Sequence, residues 1–322
     1  MTPYLRHRSA LLWRRTRLVS LMIQKIRLTT IFVFCGFLPL AVVAAAEPDE
    51  VPAGEVHVYK TSGGKPQQME VYVPPEHDPE TEKVPGLILF HGGGWGGGDL
   101  TQFRRACQYF ASRGLVCATS NYRMLTKDEA AALPERDMRK AVCVTDAKSA
   151  IRWFKAQAGE FGIDPKRIVT GGGSAGGHVA TLATLNPDLN DPGDPKHTDV
   201  SVVAYLLFNP AFSKNTTDSA IDPLPHLKQD MAPAIVFFGT KDHKWLEGWN
   251  AVFTKLVKLG NTTTEVQMAE GEAHAFFNKP PWQDVTLRAA DEFLIRQGIL
   301  GGSPTIQPPT TGEALVPAAD VE

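Results

Sequence analysis

From residue 55 onward the chain alternates between two hydrophobic rhythms. Short apolar runs of the kind that fill a buried strand recur at Leu87–Phe90, Val116–Ser120, Ile168–Thr170, Val202–Phe208, Ile235–Phe238 and Val266–Met268. Between them, longer stretches repeat apolar residues at helical spacing, which predicts helices over Gln102–Arg113, Arg139–Ala158, the segment after Ser174, Trp245–Leu259 and Trp282–Gln297. Ahead of this series, Val56–Lys60 and Gln68–Val73 read as an antiparallel hairpin turning at Gly63-Gly64, and Pro74-Pro75 ends its second strand. Strands that alternate with helices predict a parallel sheet joined by crossover helices.

Three strand ends carry the chemistry. Gly172-Gly173-Ser174-Ala175-Gly176 follows one strand and opens a helix, and it fits the nucleophile-elbow pattern with glycine two residues either side of a serine. His91-Gly92-Gly93-Gly94-Trp95 follows another strand. A glycine loop there lets a substrate approach backbone N–H groups, and such donors stabilise the negative charge that acyl transfer builds on a carbonyl oxygen. Gly93, Gly94 and Ala175 are the expected donors. The remaining partners should follow in the order acid, then histidine. Asp242 stands just past the strand Ile235–Phe238, and His274 just past Val266–Met268. Asp218, Asp222, Glu270 and Glu272 compete for the acid, and His91 and His243 for the base, with His178 read as structural. Trp95 is the candidate wall or sugar platform, with a core tryptophan under the loop as the alternative.

The set His91–Trp95 with Gly98-Asp99, Ser120–Arg123, Asp146–Trp153 and Gly172–His178 resembles the α/β-hydrolase esterases. Within them it is similar to the feruloyl/acetyl-xylan-esterase-like and hormone-sensitive-lipase-like branches. The lipase-like branch usually carries an acidic residue before the serine, where this chain has Gly173, which favours the carbohydrate-esterase side. The resemblance implies a mostly parallel central sheet with helices on both faces and a carboxylester hydrolase without metal or organic cofactor. Short acyl esters, acetyl or feruloyl, on a polysaccharide are the expected substrates. A general short-chain esterase or lipase is the second reading, and a non-catalytic binding protein that kept the fold is a third.

Composition narrows this further. The 322 residues suit one large α/β domain, 43% hydrophobic and 21% charged. A net charge of −2 speaks against a nucleic-acid partner, which needs a clustered basic surface. Basic residues from Arg6 to Arg27, the apolar run Ile31–Val43 and Ala44-Ala45-Ala46 read as an export signal over residues 1–46, with Met22 an alternative start. The competing reading is an uncleaved anchor, but the run is short for a span of about 20 residues. Residues 47–298 form the expected catalytic domain, and the Pro-, Thr- and Gly-rich segment 299–322 is expected to be disordered. An exported protein can hold a disulfide, and Cys107 and Cys143, each on a predicted helix, are the expected pair, with Cys117 a core residue. Asp146 and Arg123 are placed either to brace each other or to lie separately on a helix surface and a loop.

Overall fold

The computed structural model describes residues 51–134, 138–195 and 198–318, so the expected export signal lies outside the described residues. The hairpin forms as expected: β1 (Glu55–Ser62) and β2 (Lys65–Tyr72) pair antiparallel. After β3 (Val84–Phe90), α1 (Arg104–Ser112) leads to β4 (Val116–Ser120). A five-residue helix α2 (Lys127–Ala131) precedes α3 (Met138–Ala156), β5 (Ile163–Gly173) and α4 (Ala175–Leu185). The remaining elements are β6 (Ala204–Phe208), β7 (Ala234–Gly239), α5 (His243–Lys258), β8 (Thr264–Ala269), α6 (Trp282–Arg296) and β9 (Leu315–Pro317).

The nine strands among the described residues lie in the order β1-β2-β4-β3-β5-β6-β7-β8-β9. Pairings from β4 through β8 are parallel, while β2 on β4 and β9 on β8 are antiparallel. The chain runs from β3 outward to β4 and then crosses to β5 on the other side of β3. Strand order reverses there, and the crevice beyond the carboxyl ends of such strands is where open α/β sheets bind ligands. The two glycine loops singled out in the sequence leave β3 and β5, at that reversal.

Alternate residues of each strand serve opposite faces, as the pleat dictates. Leu87 and Leu89 pack with α1 and α6, whereas Ile88 and Phe90 pack with α3 and α4. Further along the sheet Leu207, Val236 and Phe238 pack against α5. Helices therefore cover both faces.

Two expectations are corrected. Cys107 and Cys117 belong to the cluster under α1 and α6, and Cys143 to the one under α3 on the opposite face. The sheet stands between Cys107 and Cys143, and a disulfide needs Cα atoms within about 7 Å. Cys107, Cys117 and Cys143, the cysteines among the described residues, are free and buried. The second correction is the C-terminal segment, expected to be disordered. Its strand β9 pairs with β8, Met268 opposite Val316, and Arg288 donates to the Ile306 carbonyl at 2.7 Å. Ile306 and Leu315 pack on the α1/α6 cluster.

Candidate active site

The elbow is built by close approach. A Cβ on Gly172 or Gly176 would collide with the Phe90 carbonyl, so only glycine lets β5 turn into α4 against β3. Ser174 itself holds φ +51°, uncommon for a residue with a side chain. Its backbone is pinned on both sides: its N–H donates to the Phe208 carbonyl at 2.8 Å, and its carbonyl accepts from Ala211 N–H at 2.9 Å. The side chain is thereby presented above the carboxyl ends of the strands.

Ser174, His274 and Asp242 are brought into one line. Ser174 Oγ lies 2.8 Å from His274 Nε2, and His274 Nδ1 lies 2.7 Å from Asp242 Oδ2. The carboxylate accepts only, so Nδ1 carries the proton and Nε2 is left to accept from the hydroxyl. Asp242 is buried, while His274 stays partly open. Of the competing acids, Asp218 accepts from Ala220 N–H and Asp222 from Leu224 N–H, each closing a turn, and it is Asp242 that reaches His274 Nδ1.

Asn209 completes this line, a residue the sequence does not mark. It is fully buried at the end of β6 with φ +46°, and its Nδ2 donates to Asp242 Oδ2 at 3.0 Å. Its sequence signal was only its place, directly after a strand and before Pro210.

The loop after β3 lies against the serine. A Cβ on Gly92 would come within 3.2 Å of Ser174 Cβ, and Gly94, at φ +63°, faces open space. His91 is buried beneath, stacked on Tyr122 at 4.6 Å, and its Nδ1 donates to the Gly92 carbonyl at 2.7 Å. Burial pushes the His91 imidazole below its ordinary range. Tyr122 OH donates to the His91 carbonyl at 2.7 Å. Arg123 and Asp146 do brace each other, with guanidinium–carboxylate distances of 2.7 and 2.8 Å; the Arg123 backbone N–H adds a bond at 3.0 Å and Lys60 another at 2.9 Å.

Trp95 is corrected. It is 7% exposed and donates from Nε1 to His178 Nδ1 at 3.2 Å, while His178 Nε2 donates to the Ile221 carbonyl at 2.8 Å. Lys140 Nζ stands over its ring. The indole is a support under the loop and has no free face for a sugar. Trp245, half-buried and 6.1 Å from the His274 ring, is an aromatic that flanks the site. Beside His274 opens a cleft of about 500 Å³ lined by Glu272, Asn278, Lys279 and Glu313 along with Phe276 and Trp282.

A family model described as BD-FAE matches residues 69–202. Carboxylesterase NlhH of Mycobacterium tuberculosis is 31% identical over 237 residues, which cover 65% of this chain and 70% of that protein. The chain belongs to the α/β-hydrolase serine esterases. A solved structure of an esterase of Thermogutta terrifontis, Est2 with propionate bound, is 34% identical with a TM-score of 0.70 and covers 79% of this chain and 98% of that one. The probable carboxylic ester hydrolase LipM of Mycobacterium tuberculosis is 30% identical over 165 residues. The match spans about a third of that relative's length, 35%. Membership of the serine esterases gives the hydrogen-bonded line through Ser174 a chemical setting.

Proposed function

We propose that this member of the family hydrolyses short-chain carboxylic esters through an acyl-enzyme on Ser174. The observation that carries the reading is the line Ser174–His274–Asp242 beside a side-chain-free loop. His274 Nε2 takes the Ser174 proton as Oγ attacks the ester carbonyl, and then returns it to the departing alcohol. Asp242 holds the imidazole tautomer and stabilises its charged form. Backbone N–H groups of Gly93, Gly94 and Ala175 receive the oxyanion. Water then repeats the sequence on the acyl-enzyme.

The acyl group is short, acetyl to butyryl. Support comes from the similar Thermogutta esterase, whose structure carries propionate. The alcohol must leave from the His274 side, where it is protonated. The cleft there offers Glu272, Asn278, Lys279 and Glu313, which suit a polyhydroxyl alcohol such as a polysaccharide. Export of the enzyme belongs to the same proposal and rests on the N-terminal basic and apolar segments. Among the described residues no helix is long and apolar enough to cross a membrane.

Release of p-nitrophenol from its acetate ester, with acetate release from acetylated xylan as a second arm, tests the reading. Ser174→Ala should lower kcat by at least about 10³-fold without altering the melting temperature. Activity within tenfold of the parent overturns the mechanism. Release from p-nitrophenyl acetate but none from acetylated xylan removes the polysaccharide alcohol and leaves a small-ester hydrolase.

A further inference from the structure

The proposed reaction needs two loops held in register across Ser174: one bearing the oxyanion donors after β3, the other bearing His274 after β8. In the sheet these strands stand four positions apart, roughly 19 Å at the usual strand spacing. No ladder joins them directly. We propose that Gln102 and Asn278 are positioning residues that form an amide bridge between the oxyanion loop and the His274 loop, passing beside the nucleophile; the inference rests on the esterase reading above.

The bridge is a continuous relay. Gly92 N–H donates to Gln102 Oε1 at 2.6 Å. Gln102 Nε2 donates to Asn278 Oδ1 at 3.0 Å, and Asn278 Nδ2 donates to the Ala275 carbonyl at 3.2 Å. A backbone donor at one end and a backbone acceptor at the other dictate the orientation of both amides. Only a side chain that accepts and donates at once can serve at either position.

Each end is tied to the chemistry. Gly92 also accepts from His91 Nδ1, so the residue beside Ser174 is held through both its polar atoms. Ala275 follows His274 directly and is itself left-handed at φ +65°. The bridge also explains two sequence features the catalytic line leaves idle. Asp99 accepts from Thr101 N–H at 2.8 Å and so caps the single turn Leu100–Phe103 that carries Gln102. At Gly173, a Cβ would meet Phe277 Cζ at 2.6 Å and Gln102 Nε2 at 3.4 Å. A side chain before the serine would occupy the space the bridge runs through.

Misplacement of a reacting group by about 1 Å costs on the order of 100-fold in rate. The bridge should therefore act on kcat more than on KM. The experiment is steady-state hydrolysis of p-nitrophenyl acetate by the full-length protein and by Gln102→Ala, Gln102→Glu, Asn278→Ala and the double alanine variant, each with its melting temperature. An active parent and an inactive Ser174→Ala variant establish the esterase reading independently. The expected result is a fall in kcat of about 10- to 100-fold for each single variant, with KM within about threefold. Because both residues serve one relay, the double variant should be no slower than about twice below the worse single. Gln102→Glu keeps the volume and the acceptor for Gly92 but cannot donate to Asn278. It should fall with Gln102→Ala in kcat while melting with the parent, which separates positioning from folding. Overturning results are a Gln102→Ala kcat within twofold of an active parent, single losses that multiply in the double variant, or a Gln102→Glu variant with full activity.

Discussion

His91 shows how much one buried residue can govern a loop. It reaches Gly92 through Nδ1–H, its Nε2 is buried without a partner among the described residues, and Tyr122 covers its ring. A second proton would have nowhere to bond, and burial accordingly depresses its pKa in the folded state. An ordinary imidazole titrates near about 6.5. Between the depressed folded value and about 6.5 the unfolded chain binds more protons than the folded one, so stability rises with pH over that window. The contribution is complete above about pH 6.5 and is lost as pH falls through it toward the folded value. His91→Asn keeps an N–H for the Gly92 carbonyl and does not titrate. Urea unfolding at pH 7.5 and 5.5 should show a smaller loss of stability on acidification in the variant than in the parent; equal losses would refute the account. Residues of this kind divide sharply by legibility. Ser174, Asp242 and His274 were readable because each is a reactive type at the end of an apolar strand. Asn209, Gln102 and Asn278 were not, because amides sit in many loops and only their neighbours across the fold give them meaning.

Elements were legible where they bury a continuous apolar face. Strands β3, β4, β6 and β7 are almost wholly buried, and their runs stand out in the sequence. The order of the C-terminal segment is not legible in the sequence because it comes from scattered anchors in a polar, proline-rich stretch. Ile306 and Leu315 pack down, Arg288 holds the Ile306 carbonyl, and β9 closes the edge of β8. The predicted disulfide failed for a topological reason. Helices α1 and α3, which flank β4 in the chain with the short α2 between them, lie on opposite faces because the strand order reverses across β3. Removing residues 303–322 tests the strap. The two apolar anchors and the lost edge pairing are worth about 2 kcal/mol, which at about 2–4 °C per kcal/mol lowers the melting temperature by about 4–8 °C. The bared β8 edge should also promote self-association, visible by size-exclusion chromatography. An unchanged melt and a single unshifted peak would show that the strap contributes nothing.

At the scale of the whole molecule, the sheet gathers its reactive loops at one edge and leaves that edge lightly covered among the described residues. Between β4 and α3 the described chain contributes only α2, five residues with none buried. Between β6 and β7 its helical structure is a single turn, Leu224–His226, within a loop that buries Phe212, Ile221, Leu227 and Met231. A site of this build gives a long alkyl chain little to pack against. In an enclosed apolar tunnel each buried CH₂ contributes about 0.8 kcal/mol, so lengthening an acyl group from butyryl to octanoyl would gain about 3 kcal/mol, or roughly 200-fold in kcat/KM. Here that gain should be missing. Across p-nitrophenyl esters from acetyl to decanoyl, kcat/KM should peak between acetyl and butyryl and fall steeply by octanoyl. A rise continuing to decanoyl would mean that apolar surface closes over the acyl group, and the short-chain proposal would give way to a lipase.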